Sequence, residues 1–175
     1  MKVLAFAASS SRQSINKQLA QYTASLVEGA EVELIDLNDF EMPIYSSDRE
    51  NETGIPVQAQ QFYNKITEAD AIVVSFAEHN GTYTAAYKNI FDWASRISQK
   101  VYQNKPMVLL ATSPGPGGAK SVLASATGSA PFFAMDVKAS VSVPSFYDVF
   151  DSEKGEIKDE ALRQQLKQSA FSLQL

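Results

Sequence analysis

The 175-residue sequence contains no cysteine and only one histidine, His79. The absence of cysteine excludes disulfides, thiolate catalysis and cysteine-ligated metal sites, and it suits a reducing compartment. No apolar run is long enough to span a bilayer, and the apolar run before Ser9 lacks the layout of a signal peptide. We therefore expect a cytoplasmic protein with no membrane partner.

Positive charge is also scarce, with 15 Lys and Arg residues against 20 Asp and Glu residues and a formal net charge of −5. No basic cluster occurs along the chain, so nucleic acid is not expected as a partner. The length and the 45% hydrophobic content suit one globular domain that covers residues 1–175.

Short apolar runs alternate with segments that have helical periodicity. The predicted strands lie at residues 3–8, 32–35, 71–76, 106–112 and within 132–143. The predicted helices span about 14–28, 57–68, 85–98, 119–128 and 159–173, and a long polar loop is expected from residue 42 to 56. This alternation predicts an α/β fold with a doubly wound parallel sheet. A TIM barrel would need about eight such units and about 250 residues.

Polar loops follow the first, third and fourth predicted strands, and parallel sheets bind ligands beyond the carboxyl ends of their strands. The loop from Ser9 to Asn16 offers hydroxyls, Arg12 and the start of a helix, a combination that suits a phosphate monoester. Neither a Walker A motif nor G-x-G-x-x-G is present, so hydroxyls rather than glycines would hold the phosphate. Taken alone, this loop is equally consistent with a serine-rich turn that only caps a helix.

The other two loops offer a proton donor and glycines. His79 follows the third strand, and an imidazole exchanges protons near neutral pH, although a lone histidine more often only packs. Glycines in the loop at residues 113–118 would let backbone N–H groups approach a planar ring, and a plain Pro/Gly turn is the alternative. No G-x-S-x-G elbow occurs, which argues against a serine hydrolase.

These loops resemble motifs of the NAD(P)H-dependent FMN reductases. Residues 9–16 are similar to the phosphate loop G-S-x-R-x-x-S-x-N, with Ser9 in place of glycine. Residues 77–93 are similar to P-E-Y-N-x-S-x-P-x-x-L-K-N-x-x-D-W, with Ala77 and His79 in place of proline and tyrosine. Residues 113–118 resemble the tract S-P-G-x-x-G-G, and residues 42–45 resemble L-P-x-Y.

The resemblance implies a three-layer flavodoxin-like fold with a five-stranded parallel sheet in the order 2-1-3-4-5. It implies that the FMN phosphate contacts Ser10, Arg12, Ser14 and Asn16. The residues implied around the isoalloxazine ring are Glu78, His79, Asn80, Gly81, Ser113, Gly115, Gly117 and Gly118. No metal site is implied.

The activity implied by the resemblance is ping-pong hydride transfer from NADPH or NADH, through flavin N5, to a small acceptor. The family's acceptors include flavins, quinones, azo compounds and metal ions, and its members form homodimers or homotetramers. A flavodoxin-like electron carrier, or a flavin-binding module that turns over no nicotinamide, is the main alternative. Arg12 argues against the carrier, because flavodoxins hold the phosphate with a T-x-T-G-x-T loop. A scaffold without activity is a second alternative.

Overall fold

The computed structural model describes residues 1–175 and contains nine strands, seven α-helices and two short 3-10 helices, Leu37–Phe40 and Ala130–Phe133. The strands are β1 (Lys2–Ala8), β2 (Glu31–Leu34), β3 (Ala71–Phe76), β4 (Glu78–His79), β5 (Thr82–Tyr83), β6 (Lys105–Thr112), β7 (Met135–Val143), β8 (Phe150–Asp151) and β9 (Glu156–Ile157). Five of them form one parallel sheet in the spatial order β2-β1-β3-β6-β7. Because β6 and β7 are the fourth and fifth strands of this sheet along the chain, the predicted order 2-1-3-4-5 is confirmed.

Helices cover both faces of this sheet. They are α1 (Ile15–Ser25), α2 (Ser47–Thr53), α3 (Val57–Glu68), α4 (Ala85–Ile97), α5 (Lys120–Ser129), α6 (Phe146–Val149) and α7 (Glu160–Ser172). Helices α1 and α7 share one apolar core with the sheet, whereas α3, α4 and α5 share the core on the other face. The result is the three-layer flavodoxin-like α/β architecture that the sequence predicted. None of these helices combines the length and the apolar character that a membrane span requires.

Strand β1 illustrates why residues 3–8 are all apolar. Val3 and Ala5 lie in the core on the α1 side, whereas Leu4 and Phe6 lie in the core on the α3 side. Successive side chains of a strand point to opposite faces, so a central strand with helices on both faces buries all of them.

The expectation of one polar loop from residue 42 to 56 is wrong in part, because helix α2 lies within it. The Ser46 side chain caps α2 by accepting a hydrogen bond from the Arg49 N–H at 3.1 Å. Helix α2 buries none of its residues and therefore has no apolar periodicity to reveal it. Helix α1 ends at Ser25 rather than near residue 28.

A short β-hairpin with two residues in each strand follows β3, where the sequence predicted a loop. Strands β4 and β5 pair antiparallel, with Glu78 opposite Tyr83 and His79 opposite Thr82. The turn residues Asn80 and Gly81 have φ values of 53° and 79°. Two successive positive φ values are what a type I′ hairpin turn requires, and Asn-Gly is the pair that adopts them most readily.

Candidate functional site

The loops that follow β1, β3 and β6 meet at the carboxyl edge of the sheet. There they line an open cleft of about 260 Å³, which we call the main cleft. The lining residues are Ser9, Ser11, Gln13, Ser14, Ile15, Asn16, Ala77, Glu78, His79, Thr112, Ser113, Pro114 and Tyr147. A second cleft of about 270 Å³ lies on the other side of the first loop, between the segment after β2 and helix α4, and Ser10 lines it. The three loops therefore converge as the sequence predicted.

The first loop leads into the N-terminus of α1. Ser14 caps this helix, and its Oγ accepts a hydrogen bond from the Lys17 N–H at 3.2 Å. Ser9 Oγ accepts one from the Ser11 N–H at 3.1 Å, which shapes the loop. Arg12 is exposed and takes part in none of the ion pairs. A cation without an acidic partner beside a helix N-terminus makes an environment that favours an anion.

Asn16 is buried and linked to the neighbouring strand ends. Its Oδ1 accepts hydrogen bonds from Ser75 Oγ at 2.7 Å and from the Thr112 N–H at 3.1 Å, and its Nδ2 donates to the Thr112 carbonyl at 3.4 Å. The side chain therefore joins α1 to the carboxyl ends of β3 and β6. Its amide oxygen is engaged within the protein, so Asn16 fixes the positions of the loops around the cleft.

An ion pair and an amide bridge tie the first loop to the end of β2. Lys17 Nζ lies 2.9 Å from Asp36 Oδ2, and Asn38 Nδ2 donates to the Ser10 carbonyl at 2.9 Å. Burial acts to raise the pKa of Asp36, but hydrogen bonds from Asn38 and Lys17 outweigh it and lower that pKa overall. The charge of Lys17 is thus largely neutralised by Asp36, whereas the charge of Arg12 is not.

The second loop is joined to the third by Glu78. Its Oε1 accepts a hydrogen bond from the Val122 N–H, in the first turn of α5, at 2.7 Å. The residue before α5, Ala119, provides no side-chain cap, so Glu78 takes over that role from across the cleft. His79 is exposed at the cleft, and the turn residues Asn80 and Gly81 are exposed beyond it.

Thr84 fixes where the second loop enters α4, and the sequence reading did not single it out. Its Oγ1 donates to the Ala8 carbonyl at 3.0 Å and accepts from the Tyr87 N–H at 3.2 Å. The hydroxyl thus caps α4 and ties it to the end of β1. A threonine immediately before a segment with helical periodicity was the signal available for it.

The glycines of the third loop serve two purposes. A Cβ on Gly115 or Gly117 would meet no atom within 4 Å, so a ligand can approach the backbone there. Gly118 differs, because its φ is 61° and a Cβ would lie 2.4 Å from Ser142 Oγ and 3.0 Å from the Pro144 nitrogen. Close packing on the end of β7 therefore requires glycine at position 118, and this requirement does not depend on a ligand.

The structure brings five of the predicted site residues into the main cleft: Ser14, Asn16, Glu78, His79 and Ser113. Ser10 lines the second cleft. The remaining six, Arg12, Asn80, Gly81, Gly115, Gly117 and Gly118, belong to the same loops but do not line the main cleft. Two lining residues, Thr112 and Tyr147, lie outside the three predicted motifs and were missed. The others that were not named as site residues belong to those motifs: Ser9, Ser11, Gln13, Ile15, Ala77 and Pro114. Thr112 was detectable as a polar residue that ends an apolar strand.

Comparisons with known proteins identify the family of this chain. The family model described as NADPH-dependent FMN reductase matches residues 1–148. An NAD(P)H-dependent FMN reductase of Pseudomonas aeruginosa is 29% identical over 180 residues, which covers 100% of this chain and 94% of that protein. An NADPH:quinone oxidoreductase of Arabidopsis thaliana is 32% identical over 155 residues, which covers 87% of this chain and 77% of that protein.

A solved structure shares the fold. It is the flavoenzyme NAD(P)H:(acceptor) oxidoreductase FerB from Paracoccus denitrificans, with a TM-score of 0.76 and 24% identity. The alignment covers 98% of this chain and 94% of that one.

Proposed function

The chain belongs to the NADPH-dependent FMN reductase family, and we propose that it uses FMN, bound in the main cleft, to pass electrons from NADPH or NADH to a small acceptor. The observation that carries this proposal is the convergence of all three predicted loops on one cleft at the carboxyl edge of the sheet. An acceptor of the quinone class is supported by the named activity of the Arabidopsis thaliana relative.

The residues around the cleft fit a phosphorylated flavin. The N-terminus of α1 and the cation of Arg12 suit a phosphate. The open space beside Gly115 and Gly117 suits a planar ring edge. The chemistry supplied by FMN, when bound, is the ping-pong transfer of a hydride from the nicotinamide, through N5, to the acceptor.

The protein itself contributes placement, charge and a proton donor. Asn16 and Glu78 hold the three loops at fixed separations, so the cleft is shaped before a ligand arrives. Backbone N–H groups of the glycine loop are the donors available to a negatively charged ring edge. His79 is the side chain in the cleft whose imidazole can donate a hydrogen bond or a proton to the acceptor.

The test is an anaerobic absorbance spectrum of the purified protein after FMN reconstitution, recorded before and after addition of NADPH or NADH. We expect flavin bands that bleach on mixing and return when a quinone is added. Binding of FMN without bleaching would identify an electron carrier or a flavin-binding module instead. Failure to bind FMN would refute the assignment of the cleft.

We further infer that the protein forms a homodimer or a homotetramer. The segment around α2 exposes Ile44, Ile55 and Val57, and Ile44 lines the second cleft. Apolar side chains exposed at a cleft are typical of a surface that is covered in an assembly. Light scattering on the purified protein tests this inference, and a monomeric mass at micromolar concentration would overturn it.

A further inference from the structure

We propose that Tyr147 is part of the FMN site, where its ring forms an aromatic wall that packs on the bound flavin nucleotide. The inference rests on the proposed function and adds a contact from outside the three loops that the sequence identified. Tyr147 lies in α6, beyond the end of β7, and no motif covers it.

Tyr147 is placed where a cofactor in the main cleft would meet it. It lines the same cleft as Ser14 of the first loop, His79 of the second and Ser113 of the third. It is the only phenylalanine, tyrosine or tryptophan among the lining residues. Tyr147 is 63% exposed, so the protein leaves much of this residue uncovered. An exposed aromatic ring at the edge of a polar cleft has a large apolar area available for a ligand.

The backbone that carries Tyr147 is fixed to the glycine loop. The Ser145 N–H donates to the Gly115 carbonyl at 2.9 Å, and the Phe146 N–H donates to the Ser113 carbonyl at 3.1 Å. A ligand held by the glycine loop therefore lies at a fixed distance from the backbone of Tyr147.

The neighbouring side chain anchors this segment in the core. Phe146 is fully buried and stacks on Phe150 with ring centroids 4.7 Å apart. The Tyr147 ring meets Phe146 edge to face at 5.7 Å. One aromatic residue thus holds the segment in place while the next one faces the cleft, and a ring held this way loses little entropy when a ligand stacks on it.

The test compares wild type, Tyr147→Phe and Tyr147→Ala in FMN titrations that record both the dissociation constant and the emission of bound FMN. A phenol ring in contact with a flavin quenches its emission, whereas a phenyl ring does so far less. We expect wild type to bind FMN in a quenched form, and Tyr147→Phe to bind within about twofold of wild type but with brighter emission. We expect Tyr147→Ala to bind about tenfold more weakly, because it loses the whole stacking surface.

Phe171→Ala is the matched control, because Phe171 is 59% exposed on α7 and lies outside the cleft. It should leave affinity and emission unchanged. The proposal is overturned if Tyr147→Ala binds FMN with wild-type affinity and emission, or if it changes the oligomeric state while FMN binding stays constant. Failure of the wild type to bind FMN would instead overturn the proposed function, which keeps the two results apart.

Discussion

Glu78 and Val122 are joined by a 2.7 Å hydrogen bond from the Val122 N–H to the Glu78 carboxylate, although 44 positions separate them in the sequence. The bond connects the hairpin after β3 to the first turn of α5, and so it fixes the second loop relative to the third. A carboxylate at a helix N-terminus also complements the positive end of the helix dipole.

Replacing Glu78 with alanine should lower the free energy of unfolding by about 1 kcal/mol, because α5 loses its only side-chain cap. Glu78→Gln keeps an oxygen acceptor at the same place and should lose less than half of that amount. Urea denaturation of the two variants checks the expectation. Equal losses in both would indicate that the charge, and not the cap, is what stabilises α5.

Asn16→Ala should lower the free energy of unfolding by about 1–3 kcal/mol, since the buried Ser75 hydroxyl and the Thr112 N–H would both lose their acceptor. Ser75→Ala is the control, because it removes one donor and leaves the contact of Asn16 with Thr112 in place. Thermal and urea unfolding should show that Asn16→Ala is less stable than Ser75→Ala. The reverse order would contradict the role we assign to Asn16.

Gly118→Ala and Gly117→Ala form a matched pair of adjacent substitutions. Alanine at 118 adopts a left-handed conformation with a Cβ too close to Ser142, so a loss of at least about 1–2 kcal/mol is expected. Alanine at 117 meets nothing and should change stability by less than about 0.5 kcal/mol. Melting temperatures of both variants test the contrast, and similar values would refute it.

Arg12→Ala should weaken FMN binding by about 10- to 100-fold, which corresponds to the loss of a charge-assisted hydrogen bond. Riboflavin lacks the phosphate, so its affinity should be the same in wild type and variant. Lys167→Ala removes an equally exposed cation from α7 and serves as the control. A parallel loss of riboflavin affinity would show that Arg12 acts on the ring or on the fold.

The buried pair Tyr87 and Tyr102 predicts a loss of stability in alkali. Their hydroxyl oxygens lie 2.7 Å apart. Burial raises the pKa of both phenols, and in Tyr102 it outweighs the hydrogen bond with Tyr87, which acts to lower that pKa. Above about pH 10 the unfolded chain releases these protons while the folded chain keeps them, so stability falls by up to about 1.4 kcal/mol per pH unit for each phenol.

Urea denaturation between about pH 8 and pH 11 measures this loss. The double variant Tyr87→Phe/Tyr102→Phe should have a flatter profile in that range, because no buried proton remains to be released. Tyr63→Phe removes the phenol of a half-buried tyrosine on α3 and is the control, with a wild-type profile expected. If the double variant loses as much stability in alkali as wild type, Tyr87 and Tyr102 are not the cause of that loss.

The sequence predicted the main architecture because residues 3–8 of β1 are all apolar, Ser75 is the one polar residue of β3, and the helices between the strands are amphipathic. It missed α2, which buries no residue, although Ser46 and the acidic first turn marked its start. It also missed the hairpin, since strands of two residues are too short for alternation to appear. The Asn80-Gly81 pair was the available signal there.

The site was predicted at the level of loops and less well at the level of contacts. Motif positions indicate which residues gather at the sheet edge. They do not indicate which residues from distant parts of the sequence each side chain contacts. Asn16 bonds to Ser75 and Thr112, which lie 59 and 96 positions away. Tyr147 reaches the cleft only because β7 ends beside the glycine loop.

The two-residue turn at Asn80 and Gly81 restricts how this part of the chain tolerates insertions and deletions. One added residue would shift the pairing of β4 with β5 and rotate side chains to the opposite side of the ribbon. Glu78 would then no longer lie opposite Tyr83, nor His79 opposite Thr82. Length changes are better accommodated at the exposed tip between β8 and β9, around Gly155, where no cleft residue depends on the register.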